Sequence, residues 1–238
     1  MGARGQVDVR MHRLYNSEEL LMSTATESSE TPGTGTFVRA RVASFLAIAP
    51  LGVWTVVHLW NNLSAFQGAD AWEKSVTEYP HPIAQLFTGI VVLVPLMLHT
   101  LWGIGRLASS RPNFPRYGYW ENFKYVLQRI TAIGVMLFLG AHIFLAMLKP
   151  RLTMGHAERF VDIAQQMHHH KPTLVVYLLG TLGVAYHLAN GITTFAMGWG
   201  LVSSKAAMRK LEWVNILLIL VFWGMSWAAI YALWAAGA

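Results

Sequence analysis

The chain has 238 residues, of which 54% are hydrophobic and only 13% charged, and its mean hydropathy is positive. That excludes an ordinary soluble domain and points to an integral membrane protein. The net charge of +6 is then what cytoplasmic loops and helix ends contribute, with no need of nucleic acid, and the absence of cysteine excludes disulfides and thiolate-ligated clusters.

Residues 1–36 are polar and poorly patterned, and Ser23 to Thr36 is rich in Ser, Thr, Glu and Gly. This composition cannot bury a core, so 1–36 is expected to be a disordered tail, with 37–238 the folded membrane domain. The tail lacks a charged n-region leading into an apolar run, so it does not read as a signal peptide. Glu18-Glu19 can be encoded by GAGGAG, a ribosome-binding-like string just upstream of Met22. Met22 is therefore a candidate start, and N-terminal mass spectrometry finding residues 1–21 in the native protein would rule it out.

Five apolar runs follow, at about Val42–Phe66, Ile83–Leu107, Tyr125–Leu148, Thr173–Val202 and Trp213–Ala236. Each matches the roughly 20 residues that cross a bilayer. They are too long and continuous for barrel strands, so the fold class expected is all-α, a bundle of five transmembrane helices. Pro50 and Pro95 fall inside the first two helices, where each removes one ladder bond and is expected to bend the helix. Arg39 and Arg41 precede the first span; Arg106, Arg111, Arg116 and Lys124 lie between the second and third; Lys205, Arg209 and Lys210 lie between the fourth and fifth. The opposite loops carry Lys74, and Lys149, Arg151, Arg159 and Lys171 between the third and fourth spans. The balance predicts a cytoplasmic N-terminus.

Four of these runs hold one histidine each: His58, His99, His142 and His187. An ionisable side chain at membrane depth is costly and marks a functional site. At about 1.5 Å per residue, His58 lies roughly 24 Å and His142 roughly 26 Å into outward-running helices. His99 lies roughly 24 Å and His187 roughly 20 Å into inward-running ones. The four therefore sort into His58/His142 toward the outer face and His99/His187 toward the cytoplasm.

Neutral imidazole ligates haem iron well, and two axial ligands favour electron transfer over oxygen chemistry. Two bis-histidine haems between helices I–IV are thus the leading candidate. Gly180, Gly183 and Gly191 share a helix face with His187, and Gly103 lies four after His99; small residues there let a flat ring approach the backbone, or simply let helices pack. A zinc or copper site needs ligands converging at one depth. A proton-coupled transporter lacks the expected carboxylates, since no Asp or Glu lies inside any span away from its ends.

Other features weigh less. His168-His169-His170 reads as a solvated loop, with metal capture or proton collection as the alternative. Phe160, Ile163, Ala164 and Met167 have helical spacing, which predicts a short interfacial helix over 157–167. Phe114, Tyr117, Tyr119, Trp120, Phe123 and Tyr125 form an interfacial belt, with a docking surface as a second role. His12, His81 and His156 are expected to have no ligand role.

From about Arg39 to the C-terminus the sequence resembles the single-anchor, two-haem cytochrome b subunit of succinate:quinone oxidoreductases, especially the menaquinone-linked bacterial form. The likeness rests on Pro50-Leu51-Gly52-Val53 before His58, His99 in the second span, and Val126-Leu127-Gln128-Arg129-Ile130-Thr131 before His142. It rests most on His187-Leu188-Ala189-Asn190-Gly191 followed by Trp199-Gly200. The resemblance implies that His58, His142, His99 and His187 are axial ligands of two haems b, paired as above. It implies a flavoprotein subunit that interconverts succinate and fumarate, an iron–sulfur subunit on the cytoplasmic face, and menaquinone as electron acceptor or donor. It also implies a place in the bacterial cytoplasmic membrane among its lipids, and no succinate chemistry in this chain itself.

Arg129 is a candidate for holding a haem propionate or, equally, a positive-inside anchor; Arg41 and Ser44 are weaker candidates for holding a propionate. Some two-haem fumarate reductases carry a glutamate two residues before the last histidine for transmembrane proton transfer; Ala185 stands there in this chain, which leans the reading toward succinate oxidation. The rival readings are a quinone-linked di-haem cytochrome of a hydrogenase or formate dehydrogenase, which commonly places more than one ligand on a helix, and a haem-free transporter.

Overall fold

The computed structural model describes residues 34–77, 86–111 and 116–238. The predicted tail up to residue 33, and with it Met22, lies outside the described residues, as do His12, His81 and Phe114. The described residues form helices and no strand. Five helices are long and apolar enough to cross a membrane: α1 (Thr34–Gln67), α3 (Thr88–Ala108), α4 (Trp120–Thr153), α6 (Lys171–Gly198) and α7 (Lys205–Ala236). Two shorter helices, α2 (Ala69–Val76) and α5 (Phe160–His169), lie between them. The five spanning helices correspond to the five predicted. Several run further than their apolar cores, because a helix continues past the hydrocarbon while its backbone bonds are satisfied within itself.

The chain divides into two compact units, Met1–Val42 and Ala43–Ala238. In the first, residues 34–42 are helical, and the Arg41 guanidinium carbon lies 4.7 Å from the centre of the Phe37 ring. In the second, α6 packs along α7 and α4, α7 also meets α5 and the distal part of α1, and α3 meets α1 and α4.

Prolines shape three of the helices. Pro50 lies inside a π-helical stretch, Ala47–Gly52. A second, Thr88–Leu93, ends two residues before Pro95, and a third, Ile143–Leu148, ends two before Pro150. A proline ring clashes with the carbonyl four residues back and offers no N–H. A wider turn relieves that clash and keeps the helix continuous. Pro172, at the second residue of α6, has no such stretch before it, as expected where the first N–H groups are unpaired anyway.

One end of the bundle is closed by α2 and α5. Phe160, Ile163, Ala164 and Met167, the four residues of the predicted short helix, are all buried, together with Ala65, Trp72, Ile230, Ala232 and Leu233. Gly68 turns the chain from α1 into α2 at φ +99°, a conformation open to glycine. Glu73 Oε1 then accepts a 2.8 Å hydrogen bond from Phe160 N, which caps the first turn of α5. A Cβ at Gly237 would run into the Ala164 backbone, so the end of the chain closes against α5. His168 and His169 belong to α5 rather than to a loop. The His168 ring stacks on Trp234 at 5.0 Å, and its Nδ1 donates to Trp234 O at 3.0 Å. At the opposite end Lys124 of α4 pairs with Glu212 of α7 at 2.8 Å.

Candidate functional site

The four membrane histidines meet in two pairs. His58 of α1 and His142 of α4 have ring centres 6.0 Å apart. His99 of α3 and His187 of α6 have ring centres 6.3 Å apart. An imidazole nitrogen binds a metal at about 2.0–2.1 Å; with the ring radius added on both sides, two imidazoles sharing one metal ion stand about 6 Å apart centre to centre. Both pairs have that separation. They also lie at different heights. Tyr177 and Gln128 mark the two levels, and the intervals 177–187 on α6 and 128–142 on α4 separate them by roughly 15–21 Å along the helices.

The first pair lies toward the α2/α5 end and is walled by aromatics. Trp54 stacks on His58 at 6.0 Å, Phe138 stacks on His142 at 5.7 Å, and Tyr177 meets His142 edge-on at 5.6 Å. The Tyr177 hydroxyl lies 3.0 Å from His142 Nδ1. With Nδ1–H donating to that oxygen, Nε2 is left free to bind a metal. His58 differs. Asn62 Nδ2 donates to His58 O at 2.8 Å and stands 3.3 Å from His58 Nε2; the carbonyl is the closer acceptor, and a metal at Nε2 leaves the amide bonded there. Trp72 Nε1 in turn donates to Asn62 Oδ1 at 3.2 Å, so the closing helix α2 fixes this amide.

The second pair is set among amides. Gln128 Nε2 lies 3.2 Å from His187 Nδ1 and donates to His187 O at 3.2 Å, while Asn190 Nδ2 donates to Gln128 Oε1 at 2.9 Å. Exchanging N and O in both amides would let His187 Nδ1–H donate to Gln128 Oε1, the form in which Nε2 is free for a metal, but it gives up the bond from Gln128 to His187 O. Four buried polar atoms have no partner among the described residues: His99 Nδ1, Arg129 Nε, Asn215 Oδ1 and Trp223 Nε1. Buried polar groups are normally bonded, and the first two, on a histidine of this pair and on the residue next to Gln128, are placed where a bound group would meet them.

Arg129 Nη1 donates to Tyr125 O at 3.0 Å, with the guanidinium over the Tyr125 ring, and Arg106 of α3 faces it electrostatically. Two neighbouring cations at a membrane edge favour an anion between them. Ser44 Oγ accepts a 3.0 Å hydrogen bond from Trp199 Nε1.

The glycines divide. A Cβ on Gly180 would run into the Phe138 ring, and one on Gly183 would meet Val135 at 3.5 Å. These two serve α4–α6 packing and the placement of Phe138 beside His142, not the approach of a ring to His187. Gly103 and Gly191 face open space, with nothing within 4 Å of an added Cβ. Among the described residues no three His, Cys, Asp or Glu converge as a metal group. Each pair therefore offers two nitrogen ligands, which suits an iron whose remaining positions come from a macrocycle. The open sides of Gly103 and Gly191 and the orphaned atoms of His99 and Arg129 fit such a group.

The family model of the succinate dehydrogenase/fumarate reductase transmembrane subunit matches residues 108–226. The chain belongs to this family. The match covers α4, α6 and most of α7, and so His142, His187, Gln128 and Arg129, while His58 and His99 precede it. Over 204 residues the chain is also 26% identical to the succinate dehydrogenase cytochrome b558 subunit of Bacillus subtilis (strain 168), covering 85% of this chain and 98% of that one. The chain is thus a multi-pass transmembrane subunit of the succinate dehydrogenase/fumarate reductase class.

Sequence reading met Gln128 and Asn190 only as letters of motifs and Arg106 only as a loop charge, and gave none of them, nor Asn62 or Tyr177, a part in the site. The two Asn and the Gln carry a signal, an amide in an apolar run at helical spacing from a histidine; Arg106 stands seven after His99. Tyr177 carries none, because tyrosine is ordinary at a helix end in a membrane.

Proposed function

We propose that this chain is the membrane-anchor, electron-transfer subunit of a succinate:quinone oxidoreductase, holding two haems b and delivering electrons to menaquinone. The observation that carries this is the pair of histidine pairs, each about 6 Å between ring centres and set at two heights of one bundle. Bound between the imidazoles, each haem supplies a one-electron carrier. The protein's own part is to hold and orient the rings. His58 and His142 take one haem, His99 and His187 the other. Tyr177 and Gln128 fix the imidazole tautomers, Arg129 neutralises a propionate, with Arg41 and Ser44 as weaker candidates for holding one, and the apolar walls exclude water.

The amino-terminal, arginine-rich side faces the cytoplasm in this reading, in a bacterial inner membrane. The iron–sulfur subunit docks there, with the flavoprotein beyond it, and electrons enter at His99/His187. The pair His58/His142 stands at the outer face. Family membership supports these partners over a hydrogenase or formate dehydrogenase. A pyridine haemochrome assay on the purified complex tests the reading: two haems per chain are expected, and a folded complex without haem would overturn it. A covalent-flavin partner on co-purification is expected; a nickel or molybdenum partner would overturn the succinate assignment.

A further inference from the structure

Between α4 and α5 lies a carboxyl group that the histidine pairs do not account for. Glu158 is 5% exposed, stands two residues before α5 begins and lies outside the spanning helices. Neither of the two ion pairs among the described residues, Lys124–Glu212 and Arg159–Asp162, involves it. The groups that face it are Asp162 on α5, Lys149 at the end of α4, His156 in its own segment and Tyr177 on α6. Burial, with Asp162 adding to it and Lys149 and His156 offsetting part, pushes the Glu158 carboxyl up to about 7. A carboxyl poised there exchanges its proton readily at neutral pH.

Its neighbour links it to the first histidine pair. The Tyr177 hydroxyl, electrostatically coupled to Glu158, lies 3.0 Å from His142 Nδ1, and the His142 ring stands 6.0 Å from that of His58. Tyr177 packs against the α5 cluster that includes Phe160, two residues after Glu158.

We propose that Glu158 is the proton-exchanging group of the His58–His142 pair, binding one proton from water at the α2/α5 end when an electron arrives there and releasing it when the electron leaves. This rests on the haem reading under Proposed function. One electron and one proton arrive, and one electron and one proton leave, so charge and atoms balance with no further reactant. The electron's negative charge raises the proton affinity of a nearby buried carboxyl, and by linkage the bound proton favours the electron to the same extent. The net charge of the buried site then stays constant through a turnover, where a lone added charge is costly.

Spectroelectrochemical titration of the purified complex at a series of pH values tests this, with a His58→Ala complex identifying which haem belongs to the pair. In the wild type, the potential of that haem should fall with rising pH around pH 7. Glu158→Gln should abolish the slope for this haem only, and should remove a carboxylic-acid carbonyl band from the redox-induced infrared difference spectrum. Asp162→Asn should move the sloping region to lower pH, since it removes a negative neighbour. An unchanged slope in a Glu158→Gln complex that retains both haems overturns the proposal. If Glu158→Gln does not assemble, Asp162→Asn decides, and an unmoved region overturns the proposal. A wild-type complex without haem overturns the functional reading as well, so the two failures are distinct.

Discussion

Gln128 on α4 reaches across to α6 and meets His187 at two points, the ring nitrogen Nδ1 and the backbone oxygen, each at 3.2 Å. Its third contact, at 2.9 Å, is to Asn190. One amide thus ties together the histidine and the asparagine one turn beyond it. Replacing it with Gln128→Leu leaves the His187 ring and the Asn190 amide unpaired in an apolar bundle. The expected cost is about 1–3 kcal/mol, together with a shifted spectrum or loss of the haem on His187. Thermal unfolding of the complex and a dithionite-reduced minus oxidised spectrum measure both; an unchanged spectrum would detach Gln128 from the site.

The two histidine pairs should be separable. If each pair holds one haem as proposed, His99→Ala or His187→Ala should lower the haem content from two to one per chain and abolish succinate-driven quinone reduction. His58→Ala or His142→Ala should also leave one haem, of the opposite identity. Pyridine haemochrome and low-temperature spectra of the four variants should therefore fall into two classes. Four indistinguishable spectra would contradict the pairing.

The pairing was legible in the sequence because helix rise converts residue number into depth, and each histidine stands alone in its span. What sequence did not contain was the neighbour of each surface. Gly180, Gly183 and Gly191 share a face with His187 by spacing, yet Gly180 meets Phe138 while Gly191 faces open space; which helix lies opposite is a tertiary fact. His168 and His169 read as loop because the apolar pattern ends at Met167. The helix continues through them because His168 stacks on Trp234, 66 residues away. The prolines announced a disturbed ladder, but the wide π-helical turns that absorb it depend on how neighbouring carbonyls are satisfied.

That division among the glycines makes a paired test. Gly180→Leu forces a side chain into the Phe138 ring, and overpacking of this kind costs about 1–3 kcal/mol. Gly191→Leu enters space that the chain leaves open, so the fold should keep its stability while the haem on His187 is excluded. Unfolding midpoints and haem content, measured on both variants, should change in opposite proportion. Equal stability losses would make Gly191 an ordinary packing residue.

Tyr177→Phe removes one oxygen and keeps the ring that edges onto Phe138 at 5.5 Å and His142 at 5.6 Å. Packing is thereby nearly conserved, and the change isolates the hydrogen bond to His142 Nδ1. Loss of a bond that orients a metal-binding histidine typically costs about 10–100-fold in affinity or activity. Weaker retention of the haem on His142, with the other haem unaffected, is the expected result on competition with apomyoglobin. Equal retention by wild type and variant would show that the hydroxyl does not orient the ring.

Glu158 also gives the fold a pH dependence whose sign can be worked out. Its carboxyl is raised from an ordinary 4.5 to about 7 in the folded protein. Below about 4.5 it is protonated in both folded and unfolded chains, and burial costs nothing extra. Between the two values the folded chain holds more proton than the unfolded one, so stability falls as pH rises. Above about 7 the carboxylate is charged in both states and the full burial penalty remains. Glu158→Gln never ionises and escapes that penalty. Its melting temperature relative to wild type should therefore be similar near pH 4.5, rise through the interval, and level off above about pH 7 with the variant the more stable. Circular dichroism melts of the detergent-solubilised complex across this range give the difference curve. A curve that is flat, or that favours the wild type at high pH, would show that Glu158 is paired when charged and its carboxylate not penalised by burial.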